Sequence, residues 1–220
     1  MNLELARYNM IEQQIRPWDV LDPGVLELLA AVRREDFVPA AQRALAFVDT
    51  QVPIGEGEFM LEPKVEARLL QELDLQRHEK VLEIGTGSGF MAALMGHKVQ
   101  QVFTLECQGA LAAHARSCLA RAGLSNVTVL EVSAAEGARG LPAEAPCDAI
   151  VLSGSVPAVP PALLAQLKVG GRLAAIVGQE PVMRAVLVRR SGADAFAEVD
   201  LFDTVAPRLH GFPEPSRFHF

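Results

Sequence analysis

The residues best placed to do chemistry fall in one short run, Glu83-x-Gly85-x-Gly87-x-Gly89, with Thr86 and Ser88 between the glycines. It follows an apolar run, Lys80 to Ile84, and precedes a stretch that reads as helix. Glycine lets the backbone turn tightly, or approach a ligand, where a Cβ would collide. Amides at the helix start then favour a carboxylate-bearing ligand. In the dinucleotide fingerprint G-x-G-x-x-G, the third glycine counted from Gly85 would fall on Phe90. The spacing therefore fails for NAD and fits the tighter loop of S-adenosylmethionine-dependent methyltransferases. Glu106 closes the next apolar run, 21 residues after Gly85, where a carboxylate can accept from both hydroxyls of an adenosine ribose. A third acid, Glu136, stands beside Gly137 after the following apolar run. It either reaches the exocyclic amine of adenine or is a solvated loop glutamate, and Ser133-Ala134-Ala135 leaves the register open.

These residues need a frame. From Pro63 onward, short apolar runs alternate with helical patterns: helix 63–73, strand 80–84, helix 88–96, strand 101–106, helix 109–122, strand 127–132, strand 148–153, helix 161–167 and strand 171–177. Two further β-rich runs cover 184–190 and 198–205. The alternation predicts an α/β core, a mostly parallel sheet with helices on both faces, and together with the glycine loop and Glu106 a Rossmann-like class I methyltransferase fold is expected. Upstream, a helix is expected over 3–16, ended by Pro17, and another from the Asp22-Pro23 cap to about Val32. Residues 33–63 carry Pro39, Pro53, Gly55, Gly57 and Pro63 and read as short elements joined by loops. The expected division is an N-terminal helical and loop extension on the substrate side (1–62), a cofactor-binding core (63–207) and a tail (208–220).

Half of the 220 residues are hydrophobic, enough to bury a core without a metal or disulfide staple. The net charge of −7 gives no basic footprint for nucleic acid. Cys107, Cys118 and Cys147 form no C-x-x-C pair and read as free, mostly buried thiols of a reducing compartment. The five histidines show no metal-ligand spacing. With neither a signal-peptide pattern nor a membrane-length apolar run, a cytoplasmic location is expected. Tyr8 and Trp18 are expected to pack the N-terminal helices, and Arg33-Arg34 reads as a solvated turn.

The chain also resembles the protein-L-isoaspartate O-methyltransferase family from about residue 8 to 190. The resemblance rests on Leu82 to Gly89, with Phe90 where the family has Tyr, and on Cys147 to Leu152 followed by Pro157-Ala158-Val159-Pro160 and Leu163 to Leu173. Glu12 to Ile15, Phe37-Val38-Pro39, Pro53 to Gly57 and Gly140 to Pro146 also match. It implies S-adenosylmethionine as cofactor and methylation of L-isoaspartyl (and D-aspartyl) residues in proteins or peptides, as repair, by a monomer or homodimer. Glu83, Gly85, Thr86, Gly87, Ser88, Gly89, Glu106, Glu136 and Gly137 are then the expected cofactor residues.

Two departures stand out. Where the family carries a Thr-Ile-Ser-Gln-Pro-like run with an active-site hydroxyl, this chain has Phe59-Met60-Leu61-Glu62-Pro63. Leu61 cannot donate a hydrogen bond, and Glu62, if turned inward, would repel an anionic acceptor by roughly 4 kcal/mol at about 4 Å. Ser153 and Ser155, at the end of the fourth strand, are the expected substitute hydroxyls. The family's Val-Pro-Leu-like end is also replaced, Val205-Ala206-Pro207 leading into a tail without counterpart. Two alternatives stay open: a methyltransferase for another acceptor, and a non-catalytic S-adenosylmethionine-binding protein.

Overall fold

The computed structural model describes residues 2–214. Asn2 caps α1 (Leu3–Met10) by accepting from the Leu5 amide. The helix runs on through a π-turn (Ile11–Ile15) and a 3₁₀ turn (Arg16–Trp18), and stops at Asp19, whose φ of 58° is left-handed. Pro17 therefore lies inside the helical run, in the first turn of its 3₁₀ segment, where a missing proline N–H is tolerated. In α2 (Pro23–Ala31), Asp22 Oδ1 accepts from Val25 N at 2.8 Å and Pro23 occupies the first helical position. Within 33–63 the expected short elements include an antiparallel hairpin, β1 (Val52–Gly55) and β2 (Glu58–Met60).

The core follows as α3 (Pro63–Leu73), β3 (Lys80–Ile84), α4 (Phe90–Lys98), β4 (Gln101–Glu106), α5 (Gly109–Arg121), β5 (Val127–Glu131), α6 (Ala134–Gly137), β6 (Cys147–Val156), α7 (Pro161–Leu164), β7 (Leu167–Gln179), β8 (Val182–Arg190) and β9 (Phe196–Asp203). The helix expected over 161–167 is a single turn. The Cys147 amide donates to Gln166 O, and Leu167 already pairs with Cys147, so sheet pairing draws the chain out of the helix.

The seven strands lie in the order β5-β4-β3-β6-β7-β8-β9. The strands β3 to β7 pair in parallel, and β8 and β9 return antiparallel as a meander. Alternate strand residues feed two apolar clusters. Val81, Val102, Val151 and Ile176 face the helices of the N-terminal half, while Leu82, Leu105, Ile150 and Leu173 face the other side. Both faces are covered, which is why these strands read as nearly continuous apolar runs. Chain order reverses at β3, which has β4 on one side and β6 on the other. Ligands of such sheets bind beyond the strand ends at this switch point.

Among the described residues, two arginines are buried in paired form. Arg172 on β7 donates from Nε to Leu73 O (2.6 Å) and from Nη2 to Asp74 O (2.9 Å), and its fork also grips the carboxylate of Glu79. It thereby caps the C-terminal end of α3. Arg34, expected in a solvated turn, is instead buried beneath the hairpin. It pairs with Glu66 of α3, donates to Leu61 O at 2.6 Å and lies over the Phe90 ring. Trp18 packs edge-on against Phe202 of β9, not only against N-terminal helices, and Tyr8 is exposed. Among the described residues, no helix is long and apolar enough to cross a membrane. His219 and the rest of 215–220 lie outside the described residues.

Candidate cofactor and acceptor site

The glycine run leaves β3 at the switch point and bends back over the end of β4. Gly85 N and Thr86 N both donate to Leu105 O, at 3.0 and 3.2 Å. Gly85 has a φ of 92°, and a Cβ there would fall 2.6 Å from Leu209 Cδ2. Gly89 opens α4, and a Cβ on it would press on Ala115 of α5 at 3.1 Å. One glycine therefore serves close approach and the other helix packing.

Glu106 closes the loop from below. Its Oε2 accepts from Gly87 N (2.7 Å), and its Oε1 from the amides of Cys107 (2.9 Å) and Gln108 (3.0 Å). A carboxylate offers about four lone-pair sites, so acceptor capacity remains toward the cleft, which Glu106 lines. That cleft encloses about 600 Å³, part of it open to solvent. Leu105, Leu111 and Val132 give it an apolar slot, and Gly137 joins its wall.

A C-terminal strap covers the other side. The Ser155 amide donates to Pro207 O (2.7 Å) and Leu209 N returns to Ser155 O (2.9 Å). Leu209 then fits against the bare backbones of Gly85 and Gly154. His210 Nε2 meets Glu58 Oε1 of β2 at 2.6 Å, so strap and hairpin join over the cleft.

Beneath the hairpin lies an inner recess lined by Leu61, Glu66, Glu83, Thr86, Ser88 and Ser153. Glu83 is fully buried and accepts from Ser153 Oγ (2.6 Å) and Thr104 Oγ1 (2.7 Å), while Thr104 also contacts Thr86 Oγ1 at 2.6 Å. Among the described residues, no cation pairs with it. Burial pushes its carboxyl up to about 8; the two hydroxyl bonds oppose the rise, and Glu66 and Glu106 add to it. Burial likewise pushes Glu66 up to about 7, against the pull of Arg34 and with a further push from Glu62. The recess is thus short of positive charge.

A family model described as protein-L-isoaspartate(D-aspartate) O-methyltransferase matches residues 6–205. The chain belongs to that family. Protein-L-isoaspartate O-methyltransferase 2 of Pelobacter propionicus is 40% identical over 201 residues, covering 91% of this chain and 88% of the relative. A protein-L-isoaspartate O-methyltransferase of Geobacter metallireducens is 42% identical over 189 residues, 86% and 85% of the two chains. Among solved structures, a Plasmodium falciparum protein described as a protein-L-isoaspartate O-methyltransferase in complex with S-adenosyl-L-homocysteine superposes with a TM-score of 0.77. It covers 96% of this chain and 99% of that one at 19% identity, which shows the shared class I methyltransferase fold.

For an isoaspartate methyltransferase family member the expected residues distribute unevenly. Glu83, Gly85, Thr86, Gly87, Ser88 and Ser153 meet in the recess, and Glu106 and Gly137 in the cleft. Glu136 does not join them. It is exposed and folded back on the start of its own helix, Oε2 accepting from Ser133 N (2.9 Å) and Oγ (2.6 Å) in a capping box. Those bonds hold its carboxyl below the usual range. Ser155 faces the strap, its hydroxyl donating to Ala206 O at 2.8 Å, so it is not a group of the cleft. Leu61 is buried in the recess, while Glu62 turns away toward Gln51 Nε2 at 3.3 Å. The feared charge is thus outside the cleft lining. Arg34, Glu66, Arg208, Leu209 and His210 escape sequence reasoning, since none of them belongs to a recognisable motif. The broken Val-Pro-Leu-like end was the one signal pointing to the last three.

The residues fit S-adenosylmethionine. Bare glycine backbone, an acid with spare acceptor capacity, an apolar slot and a cation-poor recess suit a ligand with ribose hydroxyls, a flat base and a positively charged end.

Proposed function

We propose that this chain transfers a methyl group from S-adenosylmethionine to the carboxylate of L-isoaspartyl (and D-aspartyl) residues in damaged proteins. The observation that carries the reading is the meeting of the glycine loop and Glu106 at the switch point, in a chain matched to the family over residues 6–205. Gly85 and Gly87 would admit the cofactor to the backbone, Glu106 would hold its ribose, and Glu83 would face its cationic end. When bound, the cofactor supplies an electrophilic methyl on a positively charged sulfur. The chain's own work is orientation and exclusion of water. A carboxyl acceptor has a pKa near 4 and is already ionised at neutral pH, so no general base is required.

In this reading, residues 1–62 form the substrate-side extension, 63–207 the cofactor core and 208–220 a tail. The net charge of −7 argues against a nucleic-acid partner, and three free thiols suit the cytoplasm. Assembly would be as monomer or homodimer.

Transfer of labelled methyl to an isoaspartyl peptide, beside its normal aspartyl counterpart, tests the proposal. Selective labelling of the isoaspartyl form is expected, and cofactor binding without labelling would overturn it. One feature favours a second reading, of a different acceptor or none: Leu61 stands at the family's hydroxyl position while Ser153 and Ser155 donate to protein groups. Binding without transfer to either peptide is its signature.

A further inference from the structure

An acceptor carboxylate needs a donor, and the cleft offers few. Leu61 has none, Ser153 Oγ donates to Glu83, Ser155 Oγ to Ala206 O, and Thr86 Oγ1 is engaged with Thr104. A hydroxyl has one hydrogen to give. The acids at the cleft, Glu58 and Glu106, repel an anion, and His210 is held by Glu58.

Arg208 is different. It lines the cleft and two adjoining hollows, one under the hairpin beside Glu58 and Phe59, the other beside Glu180 and Met183 at the β7–β8 turn. The bridge between Ser155 and Arg208 fixes its backbone to the end of β6. Its guanidinium donates from Nη2 to Gly178 O (2.8 Å), and Nε lies 3.3 Å from a carboxylate oxygen of Glu214. Its Nη1 is shielded from solvent and has no hydrogen-bond partner among the described residues. A buried donor left unmatched is costly, and such atoms are rare. A planar guanidinium is also the side chain that best matches a carboxylate, through two parallel hydrogen bonds. Glu214 already shows a carboxylate approaching this fork.

We propose that Arg208 receives the acceptor carboxylate, taking over on the strap the role that the hydroxyl at position 61 has in the family. The inference rests on the isoaspartyl reading and extends it by naming the residue that selects a carboxylate. Leu209, the next residue, packs on Gly85, so one short segment holds the acceptor while touching the loop that would hold the donor. Glu214 yields its place when the acceptor arrives.

The test compares wild type, Arg208→Gln and Arg208→Lys, each loaded with S-adenosylhomocysteine. Their affinities are measured for an isoaspartyl peptide and for the same peptide with an amide in place of the acceptor carboxylate. Glutamine can keep a donor toward Gly178 O without the charge. It should weaken the carboxylate peptide about tenfold or more, leave the amide peptide and S-adenosylhomocysteine unchanged, and raise KM more than it lowers kcat. Lysine should restore part of the loss. Equal losses for both peptides would assign Arg208 a packing role and overturn the inference, as would no loss at all. If Arg208→Gln fails to fold, the wild-type preference for carboxylate over amide decides: it must shrink as ionic strength rises, and a salt-independent preference overturns the inference. A wild type that labels no isoaspartyl peptide yet prefers carboxylate through Arg208 would remove the proposed function, and with it the acceptor role, and leave Arg208 only as a carboxylate-binding residue. A wild type that binds neither peptide would remove both.

Discussion

Replacing Glu83 with glutamine should change how the stability of the fold depends on pH. In the folded protein burial holds this carboxyl at about 8, against an ordinary value of 4.5. Between those values the native state binds a proton that the unfolded chain has lost, so stability falls as pH rises. The contribution is fully present below about 4.5 and gone above about 8. At about 1.4 kcal/mol per pH unit, the gap corresponds to about 5 kcal/mol. Glutamine stays neutral throughout, can accept from Thr104 Oγ1 with its oxygen and can donate to Ser153 Oγ with its nitrogen, so both partners of Glu83 are kept. Since about 1 kcal/mol moves the melting point of a chain this size by roughly 2–4 °C, Glu83→Gln should gain roughly 10 °C on wild type between pH 5 and pH 9. Thermal unfolding followed by circular dichroism at several pH values reads this difference directly, and groups common to both proteins cancel. A wild-type-minus-variant difference that stays constant from pH 5 to 9 would mean that Glu83 is ionised in the fold, and the account of a cation-poor recess would be wrong.

Three further outcomes follow from the same geometry. Gly85→Ala sets a Cβ 2.6 Å from Leu209 and forces alanine to a φ of 92°; it should lower stability by about 1–3 kcal/mol and weaken S-adenosylhomocysteine at least tenfold by calorimetry, and an unchanged affinity would exclude the loop from the site. Arg172→Ala strands the buried Glu79 carboxylate and should cost about 3–5 kcal/mol in urea unfolding. Glu136→Ala should leave the affinity for S-adenosylhomocysteine within about twofold, because the carboxylate caps its own helix; a loss like that of Gly85→Ala would return it to the cofactor site.

The core was legible because its signals are local. A strand, a glycine loop and a helix follow one another within twenty residues, and Glu106 ends the next strand by the same rule, so periodicity and spacing suffice to locate them. Helix starts at Pro23 and Pro63 were equally visible, since a proline at the first helical position marks itself. The Arg34–Glu66 pair joins residues 32 positions apart, and neither end carries a pattern, so Arg34 looked like one more surface cation. The surroundings of Ser155 and Glu136 are not legible in the sequence for a related reason. Sequence order places a side chain at a strand end or helix start, but the partner that turns it away, the strap for one and Ser133 for the other, is a tertiary or capping detail. The strap is hidden because a run of Pro, Arg, Leu and His has no period, and its course is set by two backbone hydrogen bonds to Ser155 and by the Ser155 hydroxyl on Ala206 O and Pro207 O.

The capping of α3 by Arg172 has a consequence for synthesis. The carbonyls of Leu73 and Asp74 receive their guanidinium from a residue 99 and 98 positions downstream. At roughly 5–20 residues per second, the ribosome delivers Arg172 about 5–20 s after α3 is complete. Until then the helix end faces water, the Glu79 carboxylate lacks its counter-charge, and β7 is not yet available to pair with β6. The N-terminal half therefore emerges as a set of waiting parts, and the chain closes around its ligand site only when the second half of the sheet arrives.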